Sequence, residues 1–233
     1  MTLPMVSILT PTKNRRHLLP MLEICILRQV YPRDRMEWVI VDDSDDGQPP
    51  FVPRPDTGLT VHQFTVDACG VGVKRNHTKA LAQGEIHVHM DDDDYYPPDR
   101  VDLAVATLLL NKDIEVVGSS KLLIYYPEDD EVWAYPRLGG HHTTGGSMAY
   151  RASYGRTHDY ADVRKGEEKS FLAEYKTPIL QLDPHRTMVC IAHATNTADK
   201  KALKASGMLS RIPWTQIDPL DRLMLVGYRL RHL

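Results

Sequence analysis

The sequence predicts an α/β fold with a mixed, mostly parallel central sheet flanked by helices. One reason is that short apolar runs, typical of buried strands, alternate with segments at helical spacing through the first half of the chain. A second reason is that polar clusters directly follow three of these predicted strands. Open α/β sheets bind ligands at the carboxyl ends of their strands, where such clusters belong. The second half of the chain has a less regular, more antiparallel pattern.

The individual elements follow from local patterns. Apolar or alternating runs predict strands at residues 5–10, 37–41, 59–66, 85–90, 114–126 and 131–135. Apolar residues spaced three or four apart predict helices at residues 15–30, 72–83, 98–111 and 218–233. No stretch has the composition of a linker, so we expect a single domain over residues 1–233.

Composition excludes several classes of protein. The 233 residues carry a net charge of −3, which provides no electrostatic footprint for nucleic acid. The three widely spaced cysteines, Cys25, Cys69 and Cys190, fit neither a disulfide framework nor a zinc knuckle and indicate a reducing compartment. The sequence shows no secretory signal and no apolar run long enough for a membrane span. We therefore expect a cytoplasmic protein, soluble or peripherally associated with a membrane.

Four consecutive aspartates, residues 91–94, follow the predicted strand at residues 85–90. Two like charges about 5 Å apart repel by only ~0.8 kcal/mol in water, but the cost grows as the site loses solvent. A pocket can therefore hold this run only beside a cation. Carboxylate oxygens suit Mg²⁺ or Mn²⁺, and magnesium is usually bound by one or two carboxylates together with substrate phosphates. The run therefore indicates a site for a metal and a diphosphate.

Two more polar clusters follow predicted strands, at residues 10–15 and 42–44. In a parallel sheet, these strand ends and the acidic run would lie side by side. Each cluster alone is equally compatible with a solvated turn. Together they predict a single ligand-binding site at this edge of the sheet.

In the order of its motifs the chain resembles the inverting nucleotide-sugar glycosyltransferases of the GT-A fold, in particular the family numbered two. The segments that carry this resemblance run in order from about residue 5 to residue 175, and they are VSILTPTKNR, EWVIVDDSDDG, GVGVKRNHTKALAQGEIHVHMDDDD, GGSMAYRAS and GEEKSFL. The resemblance implies a Rossmann-like sheet. It also implies a nucleotide-binding half over about residues 1–97, an acceptor-side half over about 98–215 and a helical tail over about 216–233.

The resemblance also assigns roles to residues on the donor side. The residues expected at the nucleotide are Pro11, Thr12, Asn14, Arg15, Asp42, Asp43, Arg75, Asp91 and Asp92. Asp42 or Asp43 would accept a hydrogen bond from the ring N–H of uracil, and Arg75 would reach the nucleotide or its diphosphate. Asp91 and Asp93 match the Asp-x-Asp pair, with Asp91 near the ribose and supporting the metal and Asp93 on the metal.

The catalytic base is expected in the acidic pair Glu167-Glu168, at the predicted start of a helix. Glu168 falls at the position of the family's base, where the family usually has aspartate, and Glu167 is the alternative one position earlier. An exposed acidic first turn, favoured by the helix dipole, is the structural alternative.

Histidines provide further candidates. His193 follows an apolar run and is expected to bind the metal, with His185 as the competing ligand. The glycine-rich loop around His141 and His142 is expected either to line the sugar or acceptor site or to form an ordinary turn.

The resemblance implies a metal-dependent enzyme that transfers a hexosyl or deoxyhexosyl group, with inversion, from a UDP-sugar to a hydroxyl of a glycan or other acceptor. Two alternatives remain open, a sugar-nucleotide nucleotidyltransferase and a non-catalytic module that binds nucleotide sugars or glycans. The first would need a glycine-rich loop after the first strand, where this chain has Thr10-Pro11-Thr12. The tail is expected to pack through Leu220, Leu223, Met224 and Tyr228, or to contact a partner or a membrane surface.

Overall fold

The computed structural model describes residues 2–163, 165–194, 196 and 199–232. The strands in this part of the chain are β1 (Val6–Thr12), β2 (Met36–Asp42), β3 (Thr60–Thr65), β4 (Ile86–His89), β5 (Asp94–Tyr95), β6 (Val116–Gly118), β7 (Leu122–Tyr126), β8 (Glu131–Tyr135), β9 (Ala149–Arg151), β10 (Ile179–Gln181), β11 (Val189–Ile191) and β12 (Ser210–Ile212). The helices are α1 (Leu19–Leu27), α2 (Val71–Leu81), α3 (Arg100–Leu110), α4 (Ala152–Gly155), α5 (Glu168–Phe171), α6 (Lys200–Ala205) and α7 (Pro219–His232).

Seven strands form the main sheet, in the order β10-β6-β9-β4-β1-β2-β3. The strands β4, β1, β2 and β3 are mutually parallel, as are β10 and β6, while β9 runs antiparallel to both of its neighbours. Every residue of β1 and β2 is buried. Burial on both faces is what parallel strands between two helical layers require, and it explains the nearly continuous apolar runs in these two strands.

The two faces of the main sheet carry separate apolar clusters. Helices α1 and α3 cover one face, where Ile8 and Trp38 are fully buried. The other face holds Leu9 and Val39, together with Phe171 from α5. Alternate residues of each strand therefore point to opposite layers, as the period of two in a strand dictates. The mixed, mostly parallel α/β architecture predicted from the sequence is confirmed.

A second, smaller sheet has the order β12-β8-β7-β11-β5 and is mostly antiparallel. Its strand β5 begins at Asp94, the last residue of the acidic run, and β11 lies beside β5. The second half of the chain thus returns to the end of β4, where it can complete a site.

Three predictions of local structure were wrong. The strand predicted over residues 114–126 is two strands, β6 and β7, in different sheets, because Ser119 and Ser120 turn the chain between them. A helix was predicted over residues 15–30, but the structure has the shorter helix α1, which a 3₁₀ turn precedes. Pro20 stands in the first turn of α1, the part of a helix that tolerates proline.

The third concerns the tail. Helix α7 forms as expected, but Leu220 and Leu223 are exposed. It packs through Met224 and Tyr228, as predicted, and also through Leu225, with Asp221 buried as well. Tyr95 donates a hydrogen bond to Asp221, which explains how a carboxylate can occupy the packed face. Contact of the tail with a partner or membrane stays a prediction. Within the part of the chain that the structure describes, no helix combines the length and apolar character needed to cross a membrane.

Candidate active site

The carboxyl ends of β4, β1 and β2 meet at one edge of the main sheet, as predicted. The hydroxyl of Thr12, at the end of β1, donates to Asp92 Oδ2 over 2.6 Å. Lys13 Nζ lies 3.4 Å from Asp43 Oδ2, at the end of β2. The three polar clusters therefore touch, although they are far apart in sequence.

A cleft of about 1020 Å³ opens at this edge. Its lining includes seven of the predicted site residues, which are Pro11, Asn14, Arg15, Arg75, Asp91, Asp93 and Glu167. Other predicted residues lie beside the cleft, outside its lining, and these are Thr12, Asp42, Asp43, Asp92, Glu168 and His193. A volume of this size suits a ligand as large as a nucleotide sugar.

Asp91 and Arg75 form a bidentate ion pair in the cleft wall. Arg75 Nη1 and Nη2 each lie 3.0 Å from one oxygen of the Asp91 carboxylate. The backbone of Gly145 and Gly146 passes directly over this pair. A Cβ on Gly145 would come within 2.8 Å of Arg75 Nη2, and one on Gly146 within 3.0 Å of Asp91 Oδ2, so side chains there would displace the pair.

Arg75 also joins the two sides of the cleft. Its Nε donates to Glu167 Oε1 over 3.1 Å, and Nη1 lies 2.7 Å from His89 Nδ1. Burial would lower the pKa of Arg75, but Asp91 and Glu167 raise it well above its usual value, so the guanidinium stays charged. In the structure this guanidinium binds two protein carboxylates and also lines the cleft, and its contact with the nucleotide or its diphosphate stays a prediction.

Arg15 binds the middle of the acidic run. Its Nη2 lies 2.7 Å from Asp92 Oδ1, and its Nη1 lies 2.6 Å from Asp93 Oδ2. Burial and the neighbouring Asp93 raise the pKa of Asp92 to about 7. Burial also opposes ionisation of Asp93, but His193 and Arg15 outweigh it and lower the pKa of Asp93. Asp93 is therefore the more acidic member of the pair, and it is also the one that faces the cleft.

Asp93 and His193 form the best donor set for a divalent cation. His193 Nε2 lies 3.0 Å from Asp93 Oδ2, and Asn196 Nδ2 lies 3.4 Å from the same oxygen. The described residues contain no group of three or more His, Cys, Asp or Glu side chains that could hold a metal. A magnesium-type site does not need one, because substrate phosphates and water complete its shell. An ionised carboxylate beside an imidazole at the cleft fits Mg²⁺ or Mn²⁺.

His185 lies elsewhere. It occurs in a 3₁₀ turn and lines a separate cavity of about 340 Å³ with Asp99 and Asp221. The structure therefore brings only His193 of the two competing histidines to the acidic run.

Asp42 and Asp43 are both buried and paired within the chain. Arg16 Nε lies 2.5 Å from Asp42 Oδ2. Lys74 Nζ lies 2.6 Å from Asp43 Oδ1, and the backbone N–H of Cys69 donates to Asp43 Oδ2. Burial opposes ionisation of Asp43, yet these contacts lower its pKa overall. Both carboxylates therefore already accept strong hydrogen bonds at the edge of the cleft.

The acidic pair near α5 has two distinct environments. Glu167 accepts from Arg75 and lines the cleft, whereas Glu168 is the first residue of α5 and is partly buried. Glu168 Oε1 lies 3.9 Å from His142 Nε2. Burial raises the pKa of Glu168, and the charge of Glu167 contributes to the shift. A carboxylate with a raised pKa and no arginine partner among the described residues suits proton transfer better than one held by a guanidinium.

Sequence reasoning assigned no role to four lysines of the cleft lining, Lys13, Lys74, Lys165 and Lys200. Burial would lower the pKa of Lys200, but Cys190 and Asp94 raise it overall, so the ammonium is charged. Lys200 is the first residue of α6, which Asp199 caps by accepting from the N–H of Ala202. The helix-capping pattern was readable in the sequence, but the return of α6 to the acidic run was not.

The sheet, the acidic run at its edge and the similarity to solved structures together define a GT-A fold. The chain belongs to glycosyl transferase family 2, because the model of that family matches residues 7–161.

Among curated relatives, WcaA of Escherichia coli (strain K12), described as a colanic acid biosynthesis glycosyl transferase, is 35% identical over 109 residues. The match covers 44% of this chain and 37% of that protein.

Among solved structures, S. aureus TarS 1-349 in complex with UDP-GlcNAc has a TM-score of 0.65 at 19% identity, covering 83% of this chain and 60% of that one. A mannosyltransferase from Pyrobaculum calidifontis, PcManGT, in complex with GDP-Man and Mn²⁺, has a TM-score of 0.63 at 21% identity. That similarity covers 100% of this chain and 71% of the mannosyltransferase. The chain thus spans less than two thirds of WcaA and of the TarS chain.

Proposed function

We propose that this chain transfers a hexosyl or deoxyhexosyl group from a uridine diphosphate sugar to a hydroxyl of a glycan or other acceptor, with inversion at the anomeric carbon. The observation that carries the proposal is the placement of Asp93 and Glu167 in the lining of one cleft, with Glu168 directly after Glu167. An inverting transfer needs a site for the leaving diphosphate and a base on the opposite side of the sugar. This cleft provides both kinds of group, and we call the part around Asp93 its donor end and the part around Glu167 its acceptor end.

At the donor end, the side chains compensate negative charge. Arg15 and Lys200 line the cleft and can contact phosphate oxygens, and Lys165, two residues before Glu167, lines it as well. Asp93 and His193 are the residues that would hold Mg²⁺ or Mn²⁺, and that cation would supply positive charge for the diphosphate as it leaves. A complex of PcManGT with GDP-Man and Mn²⁺ supports a metal in this fold.

At the acceptor end, Glu168 would accept the proton of the incoming hydroxyl. The acceptor oxygen forms its bond to the anomeric carbon while the bond from that carbon to the β-phosphate oxygen breaks, and the electron pair leaves with the diphosphate. No covalent sugar–enzyme intermediate forms, so the product has the opposite anomeric configuration to the donor. The raised pKa of Glu168, caused by its burial, matches this role.

The uridine assignment rests on the family resemblance, which places the ring N–H of uracil at Asp42 or Asp43. Both carboxylates are buried, so uracil would share them with Arg16 or Lys74. TarS has been solved with UDP-GlcNAc and PcManGT with GDP-Man, so the choice of base needs a direct test.

The decisive experiment measures nucleoside diphosphate release from UDP-glucose, UDP-galactose, UDP-N-acetylglucosamine and GDP-mannose, with MnCl₂ or with excess chelator. We expect turnover of a UDP-sugar that stops in chelator, and a product whose configuration is inverted by NMR. Preference for GDP-mannose would overturn the uridine assignment, and full turnover in chelator would overturn the metal requirement. Tight donor binding without any turnover would indicate a binding module.

A further inference from the structure

A strained turn follows α5 directly. Ala173, Glu174 and Tyr175 have φ values of +50°, +58° and +59°, all in the left-handed region. Non-glycine residues seldom adopt this region, and three in succession are costly. The turn is held by backbone hydrogen bonds, including Glu174 N–H to Lys169 O over 2.9 Å and Thr177 N–H to Leu172 O over 3.2 Å. Strain of this kind persists where the surrounding structure enforces it, often at a functional site.

The turn places the ring of Tyr175 against His142. The ring centroids lie 5.1 Å apart with an angle of 34° between the planes. His142 Nε2 is in turn 3.9 Å from Glu168 Oε1. Both rings are only partly buried. Two aromatic rings from separate segments thus stand beside the carboxylate to which we assign the acceptor proton.

The loop that carries His142 is held in place despite its glycines. Gln181 Nε2, on β10, donates to the carbonyls of Gly140 and His142 over 3.0 and 2.9 Å. The same side chain accepts from the backbone N–H of Ser120 over 2.9 Å. His142 is therefore positioned by contacts with the sheet, which an ordinary flexible turn would not need.

The local chemistry favours an uncharged ligand with hydroxyl groups. Burial lowers the pKa of His142, so its imidazole is neutral at neutral pH. Its Nδ1 is buried, so Nε2, on the side of Glu168, is the ring nitrogen that can meet a ligand. The nearby carboxylate of Glu168 would repel a phosphorylated or carboxylated ring. A pyranose offers an apolar face for the aromatic rings and hydroxyls for Glu168 and His142.

We propose that Tyr175 and His142, beside Glu168, form the subsite that binds the acceptor sugar as a neutral pyranoside. This inference rests on the proposed function, because it identifies the acceptor of the same transfer.

The test uses the full chain with a UDP-sugar that it turns over. The 4-nitrophenyl β-D-glycosides of glucose, galactose and N-acetylglucosamine, with the α-D-mannoside, serve as acceptor probes. The measured quantity is the ratio of UDP release with the glycoside to release without it, as a function of glycoside concentration. We expect a saturable rise for the wild type. In Tyr175→Gly and His142→Ala the half-saturating concentration should increase about tenfold or more, from loss of the aromatic contact.

Matched variants separate the effect of losing the aromatic ring from the effect of relieving the backbone strain. Ala173→Gly relieves the same left-handed strain but leaves both rings in place, so its saturation curve should match the wild type. Tyr175→Phe keeps the ring and should stay within about twofold, since only the hydroxyl is lost. Ala173→Gly should not melt below the wild type, because glycine accepts a positive φ without steric cost. Tyr175→Gly also loses the packing of its ring against the cluster that contains Phe171 and should melt lower, so Tyr175→Phe is its control for folding.

Three results would overturn the proposal. One is an unchanged saturation curve for Tyr175→Gly, and a second is an equal change in Ala173→Gly. The third is a wild type that releases UDP but is stimulated by none of the glycosides, which would rule out a neutral pyranoside here. Failure of the proposed function itself is recognised separately, because no donor would then be turned over with or without glycoside.

Discussion

The guanidinium of Arg75 binds the carboxylate of Asp91 through two parallel hydrogen bonds of 3.0 Å, and the same guanidinium donates to Glu167. Asp91 follows β4 at the donor end of the cleft, whereas Glu167 directly precedes the candidate base. One buried arginine from α2 therefore sets the distance between the two ends of the site. Its planar fork suits this task because it presents donors in several fixed directions.

Replacing Arg75 with lysine should damage turnover and stability together. Lysine keeps the charge but cannot bind Asp91 bidentately and reach Glu167 as well. We expect turnover to fall by about 10²-fold, the scale of a misplaced catalytic group. Arg75→Ala should lose roughly 3–5 kcal/mol in unfolding free energy by urea denaturation, since it leaves buried carboxylates unpaired. Arg211→Lys is the control, because Arg211 pairs with Glu131 at the surface and should change little. Wild-type turnover in Arg75→Lys would show that the site does not depend on this bridge.

Glu168→Gln should reduce turnover by roughly 10²- to 10⁴-fold, the usual range for general-base catalysis. Glu167→Gln should reduce it much less, because the paired Glu167 does not take the proton, although its loss weakens the contact with Arg75. Binding of UDP and Mn²⁺, measured by calorimetry, should stay near normal in Glu168→Gln. The opposite ranking of the two variants would assign the base to Glu167.

The pH dependence of turnover provides an independent measurement on Glu168. Because burial raises its pKa, the carboxylate takes up its proton at a higher pH than an ordinary glutamate. Turnover should therefore fall on the acidic side, with an apparent pKa above the usual carboxyl range, and this limb should vanish from the residual activity of Glu168→Gln. If the acidic fall in turnover persists in Glu168→Gln, it reports the titration of a different ionisable residue.

Asp93→Asn should abolish turnover and weaken Mn²⁺ binding in the presence of UDP, as measured by calorimetry. The fold should survive, since Arg15 keeps its contact with Asp92. Asp45→Asn is a suitable control, because the Asp45 side chain is 65% exposed and lies outside the cleft lining. Unchanged Mn²⁺ affinity in Asp93→Asn would move the metal to a neighbouring aspartate.

His87 should make stability depend on pH. Both ring nitrogens are buried without a hydrogen-bond partner in the described part of the chain. Burial lowers the pKa of His87 to about 4, against 6.5 in the unfolded chain, with Glu37 opposing the shift and Lys79 and Arg156 adding to it. The unfolded state then binds more protons between these values, so stability is lost as pH falls from about 6.5 towards about 4, by up to roughly 3 kcal/mol.

Urea denaturation across this pH range measures the effect, with His87→Leu as the comparison. The variant should lose stability less steeply on acidification, with the remaining slope assigned to other groups, such as the buried His89, whose pKa burial also lowers. Identical slopes of unfolding free energy against pH in the two proteins would mean that His87 has the same pKa in the folded and the unfolded state.

Much of the fold could be predicted from local pattern. Residues 5–10 and 37–41 are mostly apolar runs, and the structure contains them as β1 and β2 within one or two residues. The adjacency of the three polar clusters followed from the general geometry of parallel sheets and is confirmed by the contacts of Thr12 with Asp92 and of Lys13 with Asp43. The prediction over residues 114–126 was wrong because the apolar pattern continues across a point where the chain changes sheets.

The sequence by itself determined the α/β class, the acidic edge and the family. The apolar periodicity of each element and each motif are local patterns, and the order of the motifs is read directly along the chain. Tertiary structure decided which charges pair. Arg75 binds Asp91, 16 positions away, and Glu167, 92 positions away, while Asp92 turns away from the cleft towards Thr12 and Arg15. A buried charge is stable only beside its partner. The role of each charged residue is therefore set by the segments that folding brings together, and these segments are distant in the sequence.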